Sequence, residues 1–174
     1  MSGKTNTKQL TVCAMLTALG VVLLWIGSVL EVAEISMAVI ASLLCVLAVI
    51  EYGGAAPWLV FAATGVLSLL LLPNKGVAVA YVLFFGYYPI VKEKLEKRAR
   101  VMRWVLKEIV FNVALVALLA VWKWLLFPGA TVGSPMLVVI LVVLCEIVFV
   151  LYDIALTRLI SLYLFRIRQR LRFK

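Results

Sequence analysis

Apolar residues occupy this chain in six long runs, and the polar residues between them are few and clustered. Residues 10–30 carry only Thr11, Thr17 and Ser28 as polar side chains and stop at Glu31 and Glu34. A second run, 35–50, ends at Glu51-Tyr52-Gly53-Gly54, where two glycines give the backbone freedom a tight reversal needs. The third, 55–72, closes at Pro73-Asn74-Lys75-Gly76, a strong turn signal. The fourth, 77–91, is rich in aromatic residues (Tyr81, Phe84, Phe85, Tyr87, Tyr88) and leads into a charged stretch. The fifth, 105–127, stops at Pro128-Gly129, and the sixth begins at 136.

A helix rises about 1.5 Å per residue, so roughly 20 apolar residues cross a hydrocarbon core of about 30 Å. The pattern therefore predicts an all-α integral membrane protein, a compact bundle of six transmembrane helices over about 10–30, 35–50, 55–72, 77–91, 105–127 and 136–160, in one domain across 1–174. Between the fourth and fifth spans lies a basic cytoplasmic loop, 92–104, and after the sixth a basic amphipathic tail, 161–174. The last run outlasts the membrane core, so its end is expected to project into or along the cytoplasmic interface. The first three spans and the last three show no internal repeat, which gives an inverted-repeat architecture no support.

Composition sharpens this picture. With 66% apolar residues, 14% charged and a mean hydropathy of +1.18, an ordinary soluble fold is excluded. The first run stands where a signal peptide would, but it reaches about 20 residues and lacks a small-x-small cleavage site, so it is expected to be a retained helix. Seventeen Lys and Arg against eight Asp and Glu give a net charge of +9. In a lipid-embedded chain such an excess points to orientation and anionic headgroups, not to nucleic acid. Placing both ends inside puts fourteen of the seventeen cations on the cytoplasmic side: Lys4 and Lys8, the group from Lys92 to Lys107, and the tail from Arg166 to Lys174. The positive-inside rule thus predicts N-in, C-in. The tail alternates basic and apolar residues, a pattern suited to lying on anionic lipid or simply to holding topology.

Candidate chemistry is sparse. The chain has no histidine, which excludes His-based acid/base catalysis, Ser-His-Asp and Cys-His systems, and His metal ligands. Cys13, Cys45 and Cys145 are far apart in apolar runs and read as core residues. No phosphate-binding glycine loop or Walker motif is present, so the chain is not expected to hydrolyse ATP. No catalytic constellation is visible, so it is not expected to be an enzyme or to need a metal or cofactor; an intramembrane enzyme would have to work with Glu, Asp, Lys or Tyr alone, as with Lys123, Glu146 and Asp153 on one cavity. Polar residues inside spans are the default candidates for function. Antiparallel pairing of the last two spans puts Asn112 and Asp153 at similar depth, as a structural hydrogen-bonded pair, with Glu146 near the midplane and Lys123 shallower. On the outer side Glu31, Glu34, Asn74 and Lys75, with Tyr81 and Trp122 in adjacent turns, are candidates for the mouth of a pocket for a small polar or aromatic solute; loop solvation and an aromatic belt are the alternative. Tyr87, Tyr88, Trp104 and Tyr163 fit such a belt at the inner interface. Ala14 and Ala18 place small residues on one face of the first helix, where another helix can approach closely in lipid.

The opening Lys8-Gln9-Leu10-Thr11 leading into Ala14-xxx-Ala18, together with the size, the six spans and both ends inside, resembles the substrate-binding S component of energy-coupling factor vitamin transporters. Leu71-Leu72-Pro73-Asn74-Lys75 and Phe85-Gly86-Tyr87-Tyr88-Pro89-Ile90 are also similar to bacterial membrane proteins loosely associated with that group. The resemblance implies residence in the bacterial cytoplasmic membrane and binding of a vitamin-like solute in the outer half. It also implies docking through Ala14 and Ala18 on a transmembrane coupling subunit driven by cytoplasmic ATPases. The chain departs from that family in its first outer loop, where only 31–34 stand in place of a substantial lid. The alternative is a non-transport scaffold or assembly protein whose basic cytoplasmic face binds anionic lipid or an acidic partner.

Overall fold

The computed structural model describes residues 7–121, 123 and 135–167, which fall in two compact units, Met1–Pro128 and Gly129–Lys174. All regular structure among the described residues is helical. The first unit comprises α1 (Thr7–Val29), a 3-10 turn (Glu31–Ala33), α2 (Glu34–Glu51), α3 (Ala56–Leu71), α4 (Lys75–Ala80), a π-helical turn (Tyr81–Phe85), α5 (Tyr88–Leu95) and α6 (Arg100–Val121). The second comprises α7 (Pro135–Leu162) and a closing π-helical turn (Tyr163–Ile167). Helices α1, α2, α6 and the stretch Val138–Phe165 are each long and apolar enough to cross a membrane, which makes this a multi-pass helical membrane protein. Helix α3, at 16 residues, reaches only about 24 Å.

The fourth apolar run differs most from expectation. Instead of one helix over 77–91, the chain forms α4, shifts to π-helical hydrogen bonding over Tyr81–Phe85, and restarts as α5. Pro89 is the physical reason, because it lacks an N–H for the carbonyl one turn back and its ring crowds that carbonyl. The mismatch is absorbed upstream, where the Gly86 N–H donates to the Tyr81 carbonyl at 2.7 Å. The basic stretch 92–104 is also less of a loop than its charges suggest. Helix α5 extends through Leu95 and α6 already begins at Arg100, leaving only the turn 96–99 between them. Lys92 with Glu96 and Glu93 with Lys97 are i,i+4 pairs of the kind that support helix, at 3.6 and 2.9 Å.

In the first unit α1 packs on both α2 and α3, and α2 also meets α5. One face of α1 (Cys13, Thr17, Gly20, Leu24, Gly27, Ser28) is buried, and the opposite face (Met15, Leu19, Val22, Trp25, Val29) is exposed. Small residues dominate the contact, including Ala38, Ala41, Cys45 and Ala48 on α2. This suits helices that associate in lipid by close packing, since lipid tails are as apolar as the side chains. The reversal between α2 and α3 uses the two glycines as expected, with φ of 59° at Gly53 and 57° at Gly54. Within the second unit, the buried residues of α7 form one stripe, Phe149, Tyr152, Asp153 and Leu156.

Candidate functional site

Three segments converge where α1 ends, α2 begins and α3 turns into α4. Asn74 is the hub. Its backbone N–H donates to Ser28 Oγ at 2.9 Å, its side-chain Nδ2 donates to Glu34 Oε1, and its Oδ1 accepts the Gly76 N–H at 2.9 Å. The last bond makes Asn74 the N-cap of α4, a role its short amide fills because it reaches an otherwise unsatisfied N–H. Lys75 turns the other way, donating to the carbonyls of Leu72 at 2.7 Å and Leu70 at 3.4 Å, and so covers the C-terminal end of α3.

Beneath this cluster α3 carries two hydroxyls, Thr64 and Ser68, one turn apart and fully buried. From the end of α3 they lie about 5 Å and about 11 Å down the helix, Ser68 nearer. Neither hydroxyl has a hydrogen-bond partner. Four other helical hydroxyls return to a carbonyl about one turn back: Thr11 to Thr7, Ser42 to Val39, Thr157 to Asp153 and Ser161 to Thr157. Thr64 instead packs closely against α1 at Gly20, where a Cβ would stand 3.1 Å from its Cγ2 and 3.3 Å from its Oγ1. A buried hydroxyl left without a partner is unfavourable, and Thr64 and Ser68 are the two such groups among the described residues.

No protein-family model, curated protein or solved structure matches this chain.

Of the residues predicted for an outer mouth, the structure joins Glu34 to Asn74 and puts Lys75 beside them. Tyr81 belongs elsewhere, as a correction: it is 1% exposed in the core, with its Oη 3.2 Å from Cys45 Sγ and its ring against Phe61. The π-helical turn, which begins at Tyr81, rotates the following residues relative to α4, a phase that counting along a regular helix cannot supply. Tyr88 is likewise buried, not part of a belt, and packs on Phe84, which also meets Phe111. Trp122 lies outside the described residues, as does the side chain of Glu31. Lys123 is exposed, and Glu146 is half-buried on α7 in the second unit. Asn112 donates to the Glu108 carbonyl of its own helix at 3.0 Å, and the Asp153 carbonyl accepts from Thr157. Ala14 and Ala18 are both exposed, on the side of α1 turned away from α2 and α3.

Sequence reasoning passed over Thr64 and Ser68, although two hydroxyls four apart in an apolar run were the available signal. It also passed over a cluster at the opposite end of the unit. There Lys92 and Lys107 are 1% and 3% exposed, and both approach the same oxygen of Glu96, at 3.6 and 3.5 Å.

Proposed function

We propose that this protein is the membrane-embedded solute-binding subunit of an ATP-driven uptake transporter for a vitamin-like micronutrient. In this reading it crosses a bacterial cytoplasmic membrane six times with both ends inside. The observation that carries the proposal is the pair of buried hydroxyls without partners, Thr64 and Ser68, beneath the Ser28–Asn74–Glu34 cluster. Such groups supply the few placed polar contacts that orient a small solute within an otherwise apolar surround. The exposed Ala14 and Ala18 support docking on a coupling subunit, because small residues let a partner helix approach. The ATPase partners supply the energy, and the chain itself binds and releases.

Purification from native membranes in mild detergent, with mass spectrometry of bound proteins and small molecules, tests this reading. A coupling subunit with ATPases and a retained solute are expected, with the solute lost from Thr64→Val/Ser68→Ala and the coupling subunit lost from Ala14→Trp/Ala18→Trp. Recovery of neither from the unaltered protein would overturn it. A second reading, a membrane scaffold, draws on the cross-link of three segments through Asn74, which fastens that end. It predicts stable association with other membrane proteins and no small-molecule ligand.

A further inference from the structure

The cations at the start of α6 stand on the same side of the helix as its buried residues. At about 100° per residue, Arg100, Arg103 and Lys107 share an arc of about 80° with the buried Phe111 and Ala114. Exposure falls along that arc with depth: Arg100 is exposed, Arg103 half-buried and Lys107 buried. Trp104, 38% exposed, borders Arg100 on this side, and its ring lies under the Lys107 ammonium at 5.6 Å. Val101, Met102, Val105 and Ile109 are exposed on the nearly opposite side, and the half-buried Glu108 lies on the flank between.

The fold makes no use of the arginine charges. Glu93 pairs with Lys97, and Glu96 sits between the buried Lys92 and Lys107. Arg98, Arg100 and Arg103 form no ion pair with any described residue. The first turn of α6 contains no acid, and cations there add to the positive end of the helix dipole. Orientation in a membrane depends on how many cations lie at one end, not on which face of a helix they occupy, so topology does not explain their place on the inward side. Nor do they stand where a lipid would meet them. Acyl chains cover the exposed apolar side, and the arginines are opposed to it.

We infer that the start of α6 is a docking surface for an acidic segment of a soluble partner protein. Carboxylates of that segment pair with Arg100 and Arg103, with Arg98 beside them, and an apolar side chain next to the carboxylates rests on Trp104. Charge complementarity selects the occupant, since the guanidinium fork matches a carboxylate through two parallel hydrogen bonds. The pairing of arginine with a half-exposed tryptophan favours a protein over a small anion, because these two residue types carry much of the energy of protein interfaces. In the orientation proposed above this face is cytoplasmic. The docking surface is independent of whether the protein carries a solute.

The test is the binding of a labelled helical peptide, with glutamates at i and i+3 and a leucine beside them, to the full chain in phosphatidylcholine nanodiscs, read by fluorescence anisotropy. Both faces of a nanodisc are open, so the result stands apart from the orientation of the protein. Arg100→Gln/Arg103→Gln is expected to weaken binding about tenfold at low salt. Lys8→Gln/Lys94→Gln, which removes the same charge from two other exposed positions, is expected to change it less than about threefold. A peptide of the same composition with its glutamates dispersed around the helix is expected to bind about fivefold more weakly. If the double variant fails to elute as a folded species, Arg100→Gln against Lys94→Gln carries the same comparison. No binding to the unaltered chain, equal losses in the two charge-matched variants, or equal binding of the two peptides would overturn the assignment. Retention of phosphatidylglycerol through Arg100 and Arg103 in native mass spectrometry, with no peptide bound, would give the arginines to lipid instead.

Discussion

Asn74 gives its side-chain amide to the carboxylate of Glu34, 40 positions earlier in the chain, while its backbone N–H is held by Ser28. One residue in a turn thereby ties the end of α1 and the start of α2 to the entry of α4. Asn74→Ala removes both the N-cap and the link to Glu34, and is expected to lower stability by about 1–3 kcal/mol. Glu34→Gln keeps an acceptor for the same amide and should lose much less. Apparent melting temperatures in detergent, read by size-exclusion chromatography after heating, check the order; equal losses would show that charge, not the hydrogen bond, matters here.

The π-helical turn packs its exit against Phe61. A Cβ at Gly86 would lie 2.5 Å from Phe61 Cδ2 and 2.8 Å from Tyr81 Cε1. Gly86→Val is therefore expected to destabilise by about 1–3 kcal/mol through overpacking, with partial recovery on adding Phe61→Leu. The yield of folded protein from the single and double variants measures this, and no recovery would point to the backbone itself.

Glu96 is the shared carboxylate of two buried lysines. Glu96→Gln leaves both without that charge and should cost about 2 kcal/mol, softened because Glu96 is itself 34% exposed. Adding Lys107→Met should return part of the loss. A double-mutant cycle on thermal stability gives the coupling, and strict additivity would mean that Lys107 does not depend on Glu96.

Thr64→Val removes a buried hydroxyl that has no partner while keeping its shape. Without solute the variant is expected to be more stable by about 1 kcal/mol, the reverse of most core substitutions. A loss of similar size would show that the hydroxyl is bonded when no solute is present.

Orientation is open to direct labelling. In a chain with Cys13, Cys45 and Cys145 replaced by alanine, Lys94→Cys is expected to react with an impermeant maleimide only in inside-out vesicles, and Lys75→Cys only in right-side-out ones. Labelling of both from the same side would break the six-crossing topology.

The amino-acid sequence by itself determined the helical membrane class, the ends of α1, α2 and α3, and the glycine reversal at Gly53 and Gly54. These depend on local quantities: the length of an apolar run, and the φ values that glycine and proline permit. It also marked Glu34, Asn74 and Lys75 as neighbours at one end, because short turns leave polar residues few places to go.

Only the tertiary structure decided which side of each helix faces inward. The buried and exposed faces of α1 are both apolar, so a helix in lipid lacks the polar stripe that reveals its core face in water. That rotational phase put Thr64 against Gly20, left Ala14 and Ala18 outside, and sank Lys92 and Lys107 beside Glu96. The phase of α4 carried Tyr81 to Cys45, and the change of hydrogen-bond register at Tyr81–Phe85 then set the phase of the following aromatic residues anew, with Tyr88 against Phe84. Such contacts join residues far apart in the chain, and close packing of whole helices, not any local preference, selects them.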